Sequence, residues 1–474
     1  FEQVTHPNFT TFVLNREREY RQGDVLTAVI QARDARGRPK TYGGDFFRAK
    51  LVSVLPREAS SAGHVTDHGN GTYTVQFPLY WTGGVRVSVQ LVHPSEAVMV
   101  LQRVRKIPNK RIFFCSFVDV KANIVAIQRC FSSKPTNLPS NRLCGVTKHD
   151  TNFQWFCKRP VRLSCSSILK CWWKQNKTYD QVTTLVPYLE AELEEDTPIA
   201  SQPIHVMVPR QSAAKRLPEC SKTTPDAPHQ GYWSGNVWKS SVCSVRIFKK
   251  QEMLRCLAKK TVYLHGDSTL RQWYLRLVRV IPTHRRGNDA AAANTALFIV
   301  IGLATAVNNR WNIAIHYRFH GFPIQVTKVL NFRQIRYVVD ELNSIRGGPN
   351  TVIVLGLWAH FTAEPLEMFR ARLYAIQNAI RRLLQRSPGT RVFVRTGTTR
   401  EHKESKLEYY LLASDWLAYE ITREIRETFR TEKNVVVLDT WDMSVCQWGH
   451  DNVHPGPAMV DSQLNMLLSH ICPK

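Results

Sequence analysis

The sequence predicts a multidomain α+β protein, and three observations support this prediction. Residues 1–107 alternate apolar and polar side chains between Gly-rich turns, and residues 108–257 hold nine of the eleven cysteines. Residues 258–474 alternate short apolar strands with amphipathic helices. These patterns indicate an immunoglobulin-like β-sandwich, then a disulfide-rich and loop-rich region, then an α/β domain with a parallel sheet.

The first part shows the spacing of short antiparallel strands. The segment "VLTAVIQARDARGRP" alternates apolar and polar residues and then meets a Gly-rich turn. In "HVTDHGNGTYTVQFPLYWTGGVRVSVQLVHP", the turn sequences "HGNG" and "TGG" separate further strands. Because no group of residues with catalytic chemistry occurs here, we expect this part to be a binding or spacer module.

Cysteine usage indicates an oxidising compartment. Six cysteines fall within 115–171 at irregular spacing, which is typical of a disulfide framework. No pair has the CxxC spacing of zinc ribbons, so we expect no metal. Glycosylation sequons at Asn8, Asn70 and Asn176 agree with a secretory route. The odd cysteine count leaves one thiol free or paired between chains.

Charge narrows the class of partner. With 64 Lys and Arg against 38 Asp and Glu, the formal charge is +26, which concentrates nucleic acid, anionic lipid or acidic glycans around the protein. The signs of a secretory route disfavour nucleic acid. We expect a signal segment or membrane anchor before Phe1. The apolar run 290–307 predicts a core strand near 297–302 rather than a membrane span.

One serine lies where a strand runs into a helix. In "TVYLHGDSTLRQWYLRLV" (261–278), a buried-type strand is followed by Gly-Asp-Ser and then by apolar residues at helical spacing. Ser268 is therefore predicted at the carboxyl end of a parallel strand, where chemistry sits in such sheets. The alternative is that Ser268 or Asp267 simply caps the helix.

A second motif can supply the base that a nucleophilic serine needs. The loop "WGHDNVHPGPAMV" before the last helix contains Asp451 and His454. An acyl-transfer serine needs a neighbouring base, and that base needs a group that fixes its tautomer. Asp439 and Asp442, after the strand "NVVVL", are rival partners for the histidine, with capping and turn formation as their alternative.

This ordered pair of motifs resembles the SGNH/GDSL esterase superfamily, and specifically its PC-esterase branch. The order of a β-rich part, a cysteine-rich part, "GDSTLRQW", "TVIVLGLWAHF" and "NVHP" resembles the neurexophilin and PC-esterase domain family over nearly the whole chain. The resemblance implies a neurexophilin-like half over residues 1 to about 250 and an SGNH-type catalytic domain over 258–474.

The resemblance also implies roles for individual residues. Ser268 would be the nucleophile, His454 the base, and Asp451 the carboxylate that orients it. An Arg three residues after the serine is similar to plant polysaccharide O-acetyltransferases, so Arg271 is expected to bind an acidic acceptor or a donor phosphate. The alternative is a structural or solvated ion pair.

The oxyanion hole departs from the superfamily pattern. The superfamily usually adds a Gly and an Asn as donors, but "VLGLWAHF" has no Asn at the strand end. The helix that begins near Thr269 is expected to offer N–H groups to an oxyanion. The other oxyanion or substrate-binding candidates are Gly266, Asp267, Gly321, Gly356, Trp358 and His360.

The sequence is compatible with several functions. The resemblance and the charge favour O-acetylation of an acidic glycan or sialoglycoprotein, with acetyl-CoA as donor, in the Golgi lumen. An O-acetyl esterase would use the same acyl-serine. A secreted neurexophilin-like glycoprotein ligand with an inactive esterase-like domain is the alternative from another class. A heparin- or nucleic-acid-binding protein, suggested by charge alone, explains neither motif.

Overall fold

The computed structural model shows a mixed α/β protein. It describes residues 2–16, 18–54, 58–110, 112–148, 153–174, 191–192, 194–195, 202–209, 216–224, 227–286, 303–321, 323, 330–332, 335–400, 411–447 and 453–473. In these residues the strands form three hydrogen-bonded sheets, and one of the sheets is rich in disulfides. This confirms the predicted mixture of elements. The immunoglobulin-like and SGNH types and the domain boundaries stay predictions.

The first sheet begins in the amino-terminal part. Its strands there are β1 (Thr11–Leu14), β2 (Tyr20–Arg21), β3 (Val25–Gln31), β4 (Phe46–Ser53), β5 (Ala59–Asp67), β6 (Thr72–Pro78) and β7 (Gly83–His93), and helix α1 (Ser95–Lys106) follows. In β3 every second residue is buried, as the alternating pattern predicts. Leu26, Ile30, Tyr73 and Phe77 lie fully buried in the core of this sheet.

The second sheet is the disulfide-rich one. It contains β8 (Ile112–Asp119), β9 (Ile124–Phe131), β10 (Leu143–Lys148), β11 (Phe153–Lys158) and β12 (Ile168–Lys174), with 3-10 turns at Ser140–Arg142 and Cys165–Ser167. Its disulfides are Cys115–Cys171, Cys130–Cys157 and Cys144–Cys165. The six clustered cysteines therefore pair among themselves, which confirms the predicted framework.

Further disulfides lie outside this sheet. Cys220–Cys243 closes a loop, and Cys256–Cys472 joins two helices. Cys446 is the unpaired thiol left by the odd count. The residues after the second sheet return to the first one as β13 (Ala191–Glu192), β14 (Glu194–Glu195), β15 (Ile204–Met207), β16 (Gly231–Ser234) and β17 (Val237–Ser240). The first sheet therefore contains strands that come before the second sheet in the chain and strands that come after it.

The third sheet carries the predicted chemistry. Its elements, with the neighbouring helices, are α2 (Lys250–Leu257), β18 (Thr261–Gly266), α3 (Ser268–Val280), β19 (His284–Arg286), β20 (Ala304–Asn308), β21 (Ile313–Phe319), β22 (Leu330–Asn331), α4 (Val338–Ser344), β23 (Thr351–Gly356), α5 (Leu366–Arg386), β24 (Arg391–Arg395), α6 (Asp415–Phe429), β25 (Val435–Leu438), α7 (Trp441–Cys446) and α8 (Pro457–Ile471). Strand β22 joins the second sheet instead.

The strand order is β19-β20-β21-β18-β23-β24-β25. Within it the five neighbouring strands β21, β18, β23, β24 and β25 pair in parallel. The predicted parallel sheet is therefore mixed, because β19 and β20 add to its edge antiparallel. Helices cover both faces, with α2, α3 and α8 on one side and α4, α5 and α6 on the other. Every residue of β23 is buried, as expected for a strand covered on both faces.

The predicted core strand near 297–302 lies outside the described residues. Among the helices that the structure describes, none is long and apolar enough to cross a membrane. Asn8 and Asn70 are exposed in turns, whereas Asn176 lies outside the described residues.

Candidate functional site

The site begins where β18 ends and α3 starts. Gly266 pairs in register with Gly356 of β23, and a Cβ on Gly266 would lie 2.3 Å from the Gly356 carbonyl oxygen. Only glycine therefore allows this approach. Asp267 is the N-cap of α3, and Ser268 is its first residue, partly exposed at the carboxyl edge of the sheet. The predicted strand-to-helix joint is confirmed.

The histidine of the last loop reaches this serine. Nε2 of His454 lies 2.8 Å from Oγ of Ser268, although 186 residues separate them in the chain. This is the hydrogen-bond distance between a nucleophile and its base. Both side chains are partly exposed, so a substrate can approach them. A catalytic role for the pair stays a proposal.

Three contacts hold the His454 turn and α8 against α3. The side-chain amide of Gln272 donates to the Pro455 carbonyl oxygen at 3.0 Å. The Trp273 indole donates to the Gln463 side chain at 2.8 Å, and both groups are buried. Arg276 binds Asp461 with two nitrogens, at 2.6 and 2.8 Å. These contacts position the histidine because they tie its loop to the helix that begins with Ser268.

Asp267 is fully buried and all its acceptor capacity is used. Oδ1 accepts from the Thr269 N–H at 3.0 Å and from the Thr269 hydroxyl at 2.6 Å. Oδ2 accepts from the backbone N–H groups of Trp358 at 3.3 Å and Ala359 at 3.0 Å. A carboxylate has about four lone-pair sites. Asp267 therefore joins the nucleophile turn to the loop after β23 and has no side-chain atom left for substrate.

A buried cation stabilises this carboxylate. Arg395, at the end of β24, is fully buried and donates through Nη2 to the Thr269 hydroxyl. Burial by itself raises the pKa of Asp267, but the nearby charges of Arg395 and His360 outweigh it, and the pKa lies below the ordinary value. Burial lowers the pKa of Arg395 to about 10, and the Asp267 charge opposes this change. Arg395 thus remains a cation at neutral pH.

Two candidate oxyanion donors have other partners. The Trp358 indole donates to the Thr269 hydroxyl at 3.1 Å, and its backbone N–H is bound to Asp267. The Thr269 N–H is likewise used by Asp267. Asp267, Trp358 and Thr269 therefore hold the turn in place, and their oxyanion or substrate-binding roles stay predictions. Gly266 and Gly356 lie in the strands and allow the two backbones to approach closely.

Gly321 and His360 lie at the same sheet edge. Gly321 follows β21, is buried and has φ of +86°, which favours glycine. Nδ1 of His360 lies 3.2 Å from Nε2 of His320, the residue before Gly321, and both rings are buried. Burial lowers the pKa of His320 well below its ordinary value, and His360 adds to this effect. The oxyanion role of Gly321 stays a prediction.

Arg271 lies one helical turn beyond Ser268 and is partly exposed. Burial raises the pKa of Tyr317, and the charge of Arg271 opposes that rise. The Tyr317 hydroxyl donates to the carbonyl oxygens of Gly266 and Asp267. Arg271 therefore places positive charge beside the turn that carries the serine. Its role in binding substrate stays a prediction.

The two rival carboxylate partners of His454 form hydrogen bonds elsewhere. Asp451 lies outside the described residues. Of its rivals, Asp439 is held by Arg426 at 2.5 Å and by Thr396 at 3.2 Å. Asp442 accepts from the Gln230 N–H at 3.0 Å. Both rivals thus form contacts elsewhere, and Asp451 stays the predicted partner.

No cluster of potential metal ligands in the described part of the chain consists of free side chains. Both groupings found there contain cysteines that are already disulfide-bonded. Acetyl-CoA and an acidic acceptor stay predictions.

Sequence reasoning missed the residues that support the turn. In the sequence, Thr269 looks like an ordinary helix residue. Arg395 follows an apolar strand and would be expected in solvent, but it is fully buried. The Arg276–Asp461 pair joins helices whose packing only the fold reveals. The one available signal is the charged residue that directly follows the apolar run "VFV" in β24.

Comparisons with known proteins give the family. A neurexophilin model matches residues 8–200, and a model described as "NXPE family member 4-like, C-terminal domain" matches residues 238–472. The chain belongs to the neurexophilin and PC-esterase domain family. This membership supports an esterase- or acyltransferase-type or neurexophilin-like function. Together with five disulfides it indicates a secreted or secretory-pathway protein.

Two solved structures show weak similarity to this family member. The Lin-41 filamin domain matches 19% of this chain and 86% of its own, at 16% identity and a TM-score of 0.15. An active-site mutant of a family two carbohydrate esterase from Clostridium thermocellum matches 98% of this chain and 97% of its own, at 9% identity and a TM-score of 0.25. At TM-scores this low, neither similarity carries a conclusion.

Proposed function

We propose that this protein is a glycan O-acetyltransferase. It would move an acetyl group from acetyl-CoA to a hydroxyl of an acidic glycan, sialic acid in particular, in the Golgi lumen. The observation that carries the proposal is the 2.8 Å contact between Ser268 Oγ and His454 Nε2 at the carboxyl edge of a parallel sheet. Reacting groups sit at this edge in sheets of this kind.

The first half-reaction forms an acetyl-serine. His454 Nε2 takes the hydroxyl proton of Ser268 as Oγ attacks the thioester carbonyl carbon. The carbon–sulfur bond then breaks, and His454 returns the proton to the departing thiolate of CoA. Ser268 is the first residue of α3, so the positive end of the helix dipole would stabilise the negative charge that develops on the carbonyl oxygen, although the Thr269 N–H is used by Asp267. Gly321 is the proposed second donor.

The second half-reaction discharges the serine. A sugar hydroxyl attacks the acetyl carbon while His454 takes its proton, and the proton passes to Ser268 as the ester bond to Oγ breaks. Asp451 would keep His454 in the tautomer whose Nε2 accepts the proton. Water in place of the sugar would make the same site an esterase, so transfer requires that the bound glycan excludes water.

Charge supports an acidic acceptor and a phosphate-bearing donor. The formal charge of +26 steers both toward the protein. Arg271 adds a local cation close to the serine turn, where a carboxylate or phosphate can bind.

A second candidate function follows from the neurexophilin match to residues 8–200. In that case the protein is a secreted glycoprotein ligand, and its esterase-like part is inactive. The Ser268–His454 contact argues against an inactive site because a ligand has no need of it.

The deciding experiment measures intact mass after incubation with acetyl-CoA, with a sialylated glycan then added. The wild type should gain about 42 Da for one acetyl group and lose it to the glycan, whereas Ser268→Ala should gain nothing. The exposed Ser221→Ala variant is the control and should behave as wild type. Loss of the adduct to water alone would indicate an esterase. If the folded protein forms no adduct and hydrolyses no ester, the result would contradict the enzyme and favour the secreted glycoprotein ligand.

A further inference from the structure

A separate pocket lies in the disulfide-rich sheet. It has a volume of about 440 Å³, within the range of small-molecule sites, and none of its lining residues belongs to the third sheet. Its walls come from β9, the end of β11, the loop after β9 and the turn between α1 and β8. The residues that determine its chemistry are Asn109, Arg129, Phe131, Lys134, Leu138 and Lys158.

The disulfide Cys130–Cys157 lies behind the floor of this pocket. Cys130 and Cys157 face each other on neighbouring strands, with Phe131 opposite Phe156. Side chains alternate along a strand, so Arg129, Phe131 and Lys158 point to the sheet face opposite the disulfide. The disulfide therefore fixes the spacing between the strands that carry two of the cations and the apolar ring.

The remaining walls are fixed by local contacts. Asn109 Oδ1 accepts from the Ser133 N–H at 2.8 Å, which ties the turn before β8 to the loop after β9. The Arg129 guanidinium lies 5.2 Å above the Phe131 ring, and this ring is itself buried. The pocket is thus held by a disulfide, a side-chain hydrogen bond and a cation–π contact.

The lining has one sign of charge. Arg129, Lys134 and Lys158 are exposed at the rim, and no residue of this pocket in the described chain is acidic. Elsewhere on the surface, arginines beside carboxylates form ion pairs, as Arg38 does with Asp34. Within the described residues, none of the three rim cations forms such a pair. Their charge is therefore not neutralised by a neighbouring carboxylate there.

We propose that this pocket binds an acidic saccharide through its carboxylate or sulfate group. The three cations match that anion. Leu138 and Pro108 offer apolar surface to the C–H face of a sugar ring, and Asn109 and Asn137 offer amides to its hydroxyls. Five disulfides place the protein where acidic glycans, rather than nucleic acids, are the abundant polyanions. The site does not depend on the activity of Ser268.

The test is an equilibrium titration of the full chain with 3′-sialyllactose and with a sulfated heparin disaccharide, at low and physiological salt. The triple variant Arg129→Gln, Lys134→Gln, Lys158→Gln should lose about tenfold or more in affinity for at least one of the two, and the wild-type affinity should fall with salt. Which saccharide binds identifies carboxylate or sulfate as the recognised group. Neutral lactose should bind at least tenfold more weakly than 3′-sialyllactose if carboxylate is recognised.

A charge-matched control separates the pocket from the general field. Lys121→Gln, Arg162→Gln, Lys170→Gln removes three exposed cations outside the pocket and should keep wild-type affinity. The Ser268→Ala variant should also bind normally, and the pocket variant should keep hydrolysis of a small neutral ester. Equal losses in both triple variants, or no loss in either, would overturn the proposal. So would pocket-dependent binding of a DNA oligonucleotide without binding of either saccharide.

Discussion

At the scale of single residues, the Gly-Asp-Ser turn holds a buried hydrogen-bond network besides the proposed nucleophile and the helix cap. Asp267 accepts four hydrogen bonds, and Thr269 joins it to Arg395 and Trp358 through one hydroxyl. This buried network fixes the direction of the turn from which Ser268 projects. Of the Arg395 nitrogens, Nη2 takes part in this network, whereas Nε and Nη1 have no hydrogen-bond partner among the described residues.

Removal of the Thr269 hydroxyl tests this network. Thr269→Val keeps the shape of the side chain but removes the acceptor used by Arg395 and Trp358. We expect a loss of about 1–3 kcal/mol in the free energy of unfolding, together with a lower rate of acetyl transfer. Thr269→Ser keeps the hydroxyl and should retain most of both. Denaturant unfolding and single-turnover acetylation measure the two effects, and equal behaviour of the two variants would contradict the role of the hydroxyl.

The raised pKa of Asp442 should make the stability of the protein depend on pH. Burial, and next the Asp439 charge, raise its pKa from 3.8 to about 6. An acid with a higher pKa in the folded chain binds its proton more tightly there, so its contribution to stability falls as the pH rises from about 4 to about 6. Asp442→Asn should therefore raise the free energy of unfolding at pH 7 by about 1–2 kcal/mol and leave it nearly unchanged at pH 4. The exposed Glu427→Gln variant should show no such difference in urea unfolding.

At the scale of elements, the pairing of α3 with α8 brings Ser268 and His454 together. The Trp273–Gln463 contact is buried, whereas the Arg276–Asp461 pair is partly exposed. The disulfide Cys256–Cys472 ties α2 to the end of α8. The first helix of the site and the last helix of the chain therefore form one unit, and His454 lies in the turn that enters it.

The Arg276–Asp461 pair should matter more for activity than for stability. Its side chains are 35% and 38% exposed, so Arg276→Met should cost less than about 1 kcal/mol of unfolding free energy. Because the pair fixes the helix behind His454, we expect the transfer rate to fall about tenfold with little change in KM. The exchange Arg276→Asp with Asp461→Arg should restore much of the rate. Arg279→Met, exposed on the same helix, is the control. An unchanged rate in Arg276→Met would contradict this positioning role.

At the scale of the whole molecule, the three sheets interlock. Strand β22 lies in the third part of the chain but pairs with β12 of the second sheet. Arg48 of β4 donates to Asp415 at the start of α6 at 2.8 Å, and both are buried. The amino-terminal sheet therefore contacts the part that carries the site.

The buried Arg48–Asp415 pair should stabilise this contact. Arg48→Met removes the cation that donates to Asp415 and should lower the free energy of unfolding by about 3–5 kcal/mol. Arg48→Met with Asp415→Asn should recover part of that loss because the buried charge is then gone. The Arg38–Asp34 pair gives the control: Arg38 is half-exposed, and the buried Asp34 also accepts from the backbone N–H groups of Arg36 and Arg38, so Arg38→Met should cost less than about 1 kcal/mol. Calorimetry and denaturant unfolding measure the free energy of unfolding of each variant. Equal losses for Arg48→Met and Arg38→Met would contradict the stabilising role of the buried pair.

The sequence by itself determined the local features of this protein. Apolar periodicity placed β18, α3, β23, β24 and the last helix, because a strand or helix buries the face that its own residue spacing defines. The clustered cysteines indicated a disulfide framework, and the GDS and His454 motifs indicated the proposed nucleophile and base. Only the tertiary structure decided which residues meet. The Ser268–His454 contact, the Arg395–Thr269–Asp267 network and the pairing of β22 with β12 of the second sheet join residues far apart in the chain. Such contacts depend on how buried faces pack against one another, and local spacing does not encode that choice.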